Sequence, residues 1–448
     1  MRQFLSRLRF SLFILLAIGV CACGGRSQAP LPDAPAFDVP GANQIARRSP
    51  GRFGLMQIFD EYRANTITAQ QAMADGPRYG IVWGPRPGMP RNWHANNPSL
   101  VATYYMPQET DASSVSWGRI GHDLAWWEKT HPDWILYACT PSGTPTKSAA
   151  YIAQLPNNVP LDVHNPDVIA YQIRTTAAYS IANDYNGLAV DEVVFYNATG
   201  SALGTGYYGC GIYSRGKFVR RYNGEEDPAW TADTVAWVKR AHDLLTTDRV
   251  IAPHHIKLVI NHPAGNVADP NEQAILENTD SDLNEVGFSD YGNYHASYSL
   301  FKTTTDWMRF AQAHGVKALI GDNFSQTTPL TRIQVEYALA TYLMGDEGNA
   351  ELFAGNSNSY GAEQYLPQYQ TDAGAPCGDY YADPKYPAIW YRKYSNAFII
   401  VNSGSSSTQI AHMPPNRKYI DIMWRRARNP MVVASGDAFV LLTDGGCD

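Results

Sequence analysis

Short apolar runs, each followed by helical spacing, recur along most of this chain, and their alternation predicts parallel strands joined by crossover helices. Eight runs have strand length: 53–59 (FGLMQIF), 79–83 (YGIVW), 100–106 (LVATYYM), 187–194 (GLAVDEVV), 257–261 (KLVIN), 283–288 (LNEVGF), 317–323 (KALIGDN) and 351–355 (ELFAG). Helical spacing falls at 69–75, 166–183, 229–245, 271–278, 299–313 and 331–344. The helix at 166 has a full start signal: Asn165 as N-cap, Pro166 at the first helical position and Asp167 at the positive end of the dipole. The pattern predicts an α/β fold, a (β/α)8 TIM barrel. A ninth run, 134–139 (WILYAC), either displaces 53–59 as a barrel strand or pairs with 160–163 as an excursion; the excursion is preferred, and 187–194 is strand four under either count. After about Pro384 the runs 391–402, 419–423 and 431–442 alternate with turn residues and have no helical period, which predicts a small C-terminal antiparallel β domain.

The first residues follow another logic. Arg2, Arg7 and Arg9 flank an apolar stretch, 11–20 (SLFILLAIGV), too short to span a membrane comfortably, and it ends in Val20-Cys21-Ala22-Cys23. This reads as a secretory signal, and its end resembles the lipobox of bacterial lipoproteins, where the cysteine after a small residue is acylated. Cys23, after Ala22, fits better than Cys21, after Val20. Gly24 is not the aspartate that retains such lipoproteins at the inner membrane, so the resemblance implies outer-membrane attachment. From Gly24 to Gly51 the chain is rich in Pro, Ala, Gly and Ser, as an extended tether would be. The expected division is a signal at 1–22, a tether at 23–52, the barrel at 53–384 and the terminal sheet at 385–448.

Composition narrows the function. Of 448 residues only 17% are charged while 12% are aromatic, with 28 Tyr and 11 Trp, so much of the polar surface falls to Asn, Ser, Thr, Gln and Tyr. That profile suits a carbohydrate partner. The net charge of −7, or −10 once the three leader arginines are lost, argues against nucleic acid. Four cysteines remain for an oxidising compartment, and their spacing matches no zinc signature. Cys139 in the excursion and Cys210 after strand four reach the same barrel face, while Cys377 and Cys447 flank the terminal sheet; these are the two expected disulfides.

Barrel chemistry sits at the C-terminal ends of the strands. Strand four offers Asp191 and Glu192, strand six Glu285 and strand seven Asp322, with Asp60 after strand one as a weaker alternative. Side chains alternate along a strand, so Asp191 and Glu192 cannot both face the axis, and Val190 and Val193 do not settle which does. Around them Trp83, Tyr104, Tyr105, Asn261, His262, Asp322 and Asn323 are candidates for binding hydroxyls or stacking on sugar rings; Asp162 is a further substrate-site candidate that would brace this face of the barrel, and His164 reads as a loop residue.

The run Leu161-Asp162-Val163-His164-Asn165-Pro166, a helix, and then Asn186-Gly187-Leu188-Ala189-Val190-Asp191 resembles a family core. That core is the D-V-x-N-P … D-G-hydrophobic-hydrophobic-x-D pattern of TIM-barrel glycosyl hydrolases related to endo-α-1,4-polygalactosaminidase and the α-glycosidase-like barrels. In that group one carboxylate ends strand four and a second ends strand six, in a run similar to Asp282-Leu283-Asn284-Glu285. The likeness extends from Gly51 to Asn402 and includes Tyr391-Arg392-Lys393-Tyr394-Ser395-Asn396. It departs at Asn186-Gly187, where the family has Asp-Gly, and at Glu192, which leaves the nucleophile open. The resemblance implies hydrolysis by two carboxyls, one protonated to serve the leaving group and one ionised to attack carbon or activate water. Asp191 is the expected nucleophile or base and Glu285 the acid, with no cofactor. Two rival readings are a noncatalytic glycan-binding lipoprotein on a degenerate barrel and a metal-dependent polysaccharide deacetylase using His254, His255, His262 and Asp191. The adjacent His254 and His255 would diverge in any regular element, which counts against the second. No G-x-S-x-G or G-x-G-x-x-G stands where a serine hydrolase or dinucleotide enzyme needs it.

Overall fold

Eight parallel strands form one sheet in the order of their occurrence: β1 (Met56–Ile58), β2 (Ile81–Trp83), β3 (Val101–Pro107), β4 (Gly187–Asp191), β5 (Lys257–Asn261), β6 (Ser281–Asn284), β7 (Lys317–Phe324) and β8 (Ala350–Asn356). A parallel bridge between Leu55 and Leu352, with the Leu352 N–H on Gly54 O at 2.9 Å, closes the sheet into a barrel. The computed structural model describes residues 51–58, 67–112, 121–291, 295–324, 330–356, 365–404, 408–423, 425–444 and 446–447, all within a compact unit, Asn43–Asp448. The leader, Cys23, the tether up to residue 50 and Asp60 lie outside the described residues. Among the described residues no helix is long and apolar enough to cross a membrane.

The helices are α1 (Ala69–Asp75), α2 (Pro90–His94), α3 (Leu124–Thr130), α4 (Pro166–Ala182), α5 (Pro228–Thr247), α6 (Pro270–Leu276), α7 (Tyr298–Ala313) and α8 (Arg332–Gly345). Three of them start alike: Asn165, Asp227 and Asp269 each cap a backbone N–H two residues on, and each is followed by proline. Thr68 and Thr331 close capping boxes with Gln71 and Gln334. Each such cap is worth about 1 kcal/mol and fixes where a strand–helix loop ends.

Because strand side chains alternate, each strand divides its residues between two layers. Met56, Ile58, Ile81, Trp83, Ala189, Val259, Leu283, Leu319 and Phe353 fill the barrel interior, with Val101 and Tyr105 beside them. Their neighbours Leu188, Val190, Leu258 and Ile260 face the helices instead. Both layers are apolar, as expected of parallel strands covered on both sides.

Two strands end earlier than their apolar runs suggest. β4 stops at Asp191 because Glu192 adopts a left-handed backbone, φ 60°, a conformation that costs a non-glycine residue about 1–2 kcal/mol. β6 spans Ser281–Asn284 rather than 283–288. There Gly287 turns the chain at φ 55°, and a Cβ at that position would sit 2.5 Å from Asp322 Oδ1 and 2.7 Å from Gly321 O. Glu285 therefore stands just past its strand.

The run 134–139 is an excursion, as preferred. Tyr137–Cys139 joins a four-stranded antiparallel sheet with Pro145–Ala149, Tyr208–Ser214 and Lys217–Arg220, while Ile135 bridges Leu161. The sheet unites the insertions after β3 and β4, and the Cys139–Cys210 disulfide crosses it. The second expected disulfide, Cys377–Cys447, is also present. The C-terminal region forms a five-stranded antiparallel sheet running Tyr381–Ala382, Ile389–Lys393, Ala397–Asn402, Ala438–Leu442, Ile420–Asp421. It covers α8, which is why every residue of that helix from Gln334 to Gly345 is buried. Buried Arg392 reaches from this sheet to the carbonyls of Leu343, Met344 and Asp346 at 2.9–3.0 Å, satisfying groups that a helix C-terminus leaves open.

Candidate active site

Two-residue steps along each strand from the interior layer decide which side chains reach the barrel mouth. From Ala189 the next inward position is Asp191, from Val259 it is Asn261, from Leu283 it is Glu285, and from Leu319 two steps lead to Asn323. On β2 and β3, Trp83 and Tyr105 belong to the interior layer itself, and Tyr105 reaches Asp191 through its hydroxyl. Asp191 and Glu285 are both half-buried there.

Asp191 accepts three hydrogen bonds. Tyr105 Oη donates to Oδ2 at 2.7 Å; Asn261 Nδ2 and the Glu192 backbone N–H donate to Oδ1 at 2.8 and 2.9 Å. The same Asn261 nitrogen donates to Glu285 Oε2 at 2.9 Å. Since the two N–H bonds of one amide diverge by about 120°, the bridged oxygens lie about 5 Å apart, and the two distances limit their separation to about 5.7 Å. Asn323, fully buried, donates from Nδ2 to the Glu285 carbonyl at 3.3 Å and holds that residue from below.

Two further carboxyls border the pair. Glu192 follows Asp191, and burial, reinforced by the charges of Asp191 and Glu285, pushes its carboxyl up to about 8. Glu109 enters from β3: Pro107 pairs with Asp191 and the Gln108 N–H bonds Asp191 O at 3.0 Å, so Glu109 and Glu192 are the next residues along adjacent chains. Glu109 is fully buried, neither of its carboxyl oxygens has a hydrogen-bond partner among the described residues, and burial with the charges of Glu192 and Asp191 carries it well above the usual carboxylate range. At neutral pH Glu192 holds its proton, and burial favours the neutral form of Glu109.

Other expected site residues lie elsewhere. Tyr104 faces the helices, its ring 4.9 Å from Tyr179 and 5.5 Å from Tyr185; its neighbour Tyr105 takes the inward place. Asp322 also faces outward: Oδ1 accepts the Phe288 and Ser289 N–H groups at 2.6 and 2.9 Å, which ties down the loop carrying Glu285, and burial raises its carboxyl to about 7. His262 is buried behind β5 against Val193 O and Glu272. Asp162 is buried at the end of the excursion and pairs with Arg221 at 3.0 Å, while His164 lies 3.0 Å from Asp233. The mouth thus unites Asp191, Glu285, Asn261 and Asn323, with Trp83 in the interior layer beneath, and separates them from Tyr104, Asp162, His262 and Asp322. Gln108 and Glu109 carried no sequence signal beyond following a strand end. For the deacetylase reading, His254 and His255 are exposed and precede β5, at the barrel end opposite Asp191. Among the described residues no group of three or more His, Cys, Asp or Glu side chains is arranged to hold a metal ion.

No family model matches the sequence, and no curated protein matches it. Solved structures match in fold. A GH27 β-L-arabinopyranosidase from Geobacillus stearothermophilus is similar with a TM-score of 0.50 at 9% identity, over 88% of this chain and 96% of that one. A noncanonic maltogenic α-amylase, AmyB from Thermotoga neapolitana, gives a TM-score of 0.46 at 12% identity, over 87% and 98%. The first likeness supports the barrel already evident from the strand order.

Proposed function

We propose that the chain is a glycoside hydrolase that acts with retention of configuration on a polysaccharide or oligosaccharide, with Asp191 as nucleophile and Glu285 as acid and base. The observation that carries the reading is the single Asn261 nitrogen between the two carboxyls. Retaining enzymes hold their carboxyls about 5–5.5 Å apart, whereas inverting ones leave about 6.5–9.5 Å for a water. The bridged oxygens, about 5 Å apart, match the first class. Glu285 gives its proton to the glycosidic oxygen as Asp191 attacks the anomeric carbon and forms a glycosyl ester. The Glu285 carboxylate then takes a proton from water as that water attacks the same carbon and releases Asp191. The β-L-arabinopyranosidase of similar fold adds to this reading. Export and attachment to the outer membrane through Cys23 belong to the same reading, supported by the arginine-flanked apolar leader and the Ala22-Cys23 step.

The test is a screen of the purified protein against defined exopolysaccharides with reducing-end detection, followed by NMR of the first product anomer. New reducing ends with the anomer of the substrate are expected. An inverted first product would overturn the assigned mechanism. Binding of a glycan without any new reducing ends would turn the reading to that of a binding protein.

A further inference from the structure

His262 follows Asn261 on β5 and, by alternation, points away from the barrel axis, 2% exposed. Its Nδ1 lies 2.6 Å from Val193 O; a carbonyl only accepts, so this nitrogen carries a hydrogen. Its Nε2 lies 3.0 Å from Glu272 Oε2 on α6, and Glu272, also 2% exposed, takes the Gly265 N–H on its other oxygen at 3.0 Å. The His262 N–H bonds Leu283 O at 3.0 Å, two residues before Glu285. One buried pair thus touches the loop after β4, the loop after β5 and the strand that leads to Glu285.

The loop after β4 needs such an anchor. Glu192 is left-handed, which turns the chain directly after Asp191, whose Oδ1 takes the Glu192 N–H at 2.9 Å. Strained backbone persists where surrounding bonds over-determine it. Here Trp230 Nε1 and Thr234 Oγ1 of α5 take Val194 O at 3.0 and 3.3 Å, and Thr231 Oγ1 takes Phe195 O at 3.1 Å. The carbonyl nearest the turn, that of Val193, is left to His262.

We infer that His262 is a positioning residue for the Asp191–Glu285 pair: paired with Glu272 through a shared proton, it holds the left-handed turn that directly follows Asp191 and the strand that leads to Glu285. The inference rests on the reading of those two carboxyls as the hydrolytic pair. The groups facing His262 are Glu272 from α6, Asp282 from β6, and the Val193 carbonyl and Phe195 ring from the loop after β4. Burial by itself would push the imidazole down, but the hydrogen bond and charge of Glu272, the charge of Asp282 and the Val193 carbonyl outweigh it and bring it to about 9. Asp282 is pushed up by burial to about 8, against the opposing pull of His262, so at pH 7 it is neutral. With the Nδ1 hydrogen on Val193 O, one further proton lies between Nε2 and Glu272 Oε2.

His262→Gln and Glu272→Gln test this in the full chain. The readouts are the ¹⁵N shifts of the His262 ring, hydrogen exchange of the peptide spanning 187–196, and kcat and KM on whichever glycan the wild type hydrolyses. In the wild type at pH 7 both ring nitrogens should carry hydrogens, and in Glu272→Gln the ring should be neutral at that pH. In His262→Gln, exchange of the 187–196 peptide should speed up by about tenfold or more, and kcat should fall by roughly 10²-fold with KM nearly unchanged, the pattern of misplaced reacting groups rather than lost binding. Glu272→Gln, which keeps the Val193 bond, should lie between His262→Gln and wild type. A neutral ring in the wild type, or unchanged exchange and kcat in the variants, overturns the inference. If His262→Gln does not fold, Glu272→Gln decides alone. If no glycan is hydrolysed, the exchange and ¹⁵N results still decide whether His262 holds the turn, while the hydrolase reading falls separately.

Discussion

Asp191 and Glu285 should fail in different ways when each loses its carboxyl. Glu285→Gln keeps the size of the side chain and an acceptor for Asn261 but removes the proton donor. On a natural glycan, whose alcohol leaving group needs that proton, the loss should be about 10²- to 10⁴-fold in kcat/KM. On an aryl glycoside with an activated leaving group the first step needs no proton and should change far less. Asp191→Asn should abolish turnover of both substrates, since attack on the anomeric carbon is needed whatever departs. Spacing adds a further expectation. With the carboxyl oxygens about 5 Å apart, the space vacated in Glu285→Ala borders the anomeric carbon, so azide should restore turnover of the aryl glycoside and give a glycosyl azide of retained configuration. The assay is steady-state kinetics on the two substrate types, with product anomers read by NMR. If Asp191→Asn keeps near-normal activity while Glu192→Gln or Asp322→Asn loses it, the nucleophile is misassigned though a barrel hydrolase survives. If all four leave a demonstrated activity intact, the site lies elsewhere and the mechanism fails.

Asn261→Asp would place a third carboxylate between the pair in place of the amide donor; kcat/KM at pH 7 should fall by about 10²-fold or more and recover partly on acidification, and a flat pH response would count against the bridge. Thermal stability should decline from pH 5.5 to 8.5: the buried carboxyls of Asp282 (about 8), Asp322 and Glu336 (about 7) are all raised mainly by burial, so between their unfolded values near 4 and these values the native state binds more protons and loses stability as pH rises. His262, raised to about 9, acts in the same direction, its contribution complete below about 6.5 and lost through 9. A Tm at pH 8.5 lower than at pH 5.5 by about 5 °C or more is expected in calorimetry, and a Tm that holds or rises would refute the assignment of protons to these groups. Cys23→Ser should leave the protein without lipid, either uncleaved at the membrane or released; lipid labelling and fractionation identical to wild type would dismiss the anchor.

The barrel was legible because eight apolar runs and their intervening helices each carry a local signature, and because Asn165-Pro166 and its counterparts at Asp227 and Asp269 mark helix starts without reference to the rest of the chain. The short helices α2 and α3 were not read; the five residues of α2 give too little period. The site was legible only to the level of strand ends. Parallel strands bury both faces, so hydrophobicity cannot say which neighbour of Val190 looks inward, and the choice between Asp191 and Glu192, or Tyr104 and Tyr105, waits on the three-dimensional layer. Asp322 and His262 stand at strand ends like the inward residues and differ only by one position. Glu285 needed a further fact, the turn at Gly287, which depends on Asp322 from the next strand. Glu109 is invisible to local reading because its burial is made by the excursion: its own carbonyl receives the Leu161 N–H, fifty-two residues away in sequence.

A chain with so few charges nevertheless brings four carboxyls to one barrel mouth, and electrostatics says how they coexist. Two unit charges about 5 Å apart at an effective dielectric of about 20 repel by roughly 3 kcal/mol, and every additional ionised neighbour adds a similar amount. Full ionisation is therefore costly, and the environments decide where the protons go. Glu109 has no donor to either oxygen among the described residues and is fully buried, which favours its neutral form; Glu192, half-buried beside Asp191 and Glu285, keeps its proton up to about pH 8. The donors converge instead on Asp191, from Tyr105, Asn261 and the Glu192 backbone. The left-handed turn at Glu192 decides where that carboxyl stands relative to Asp191, while its N–H bonds the Asp191 oxygen. The backbone conformation of one residue thus joins the electrostatics of the mouth to its geometry.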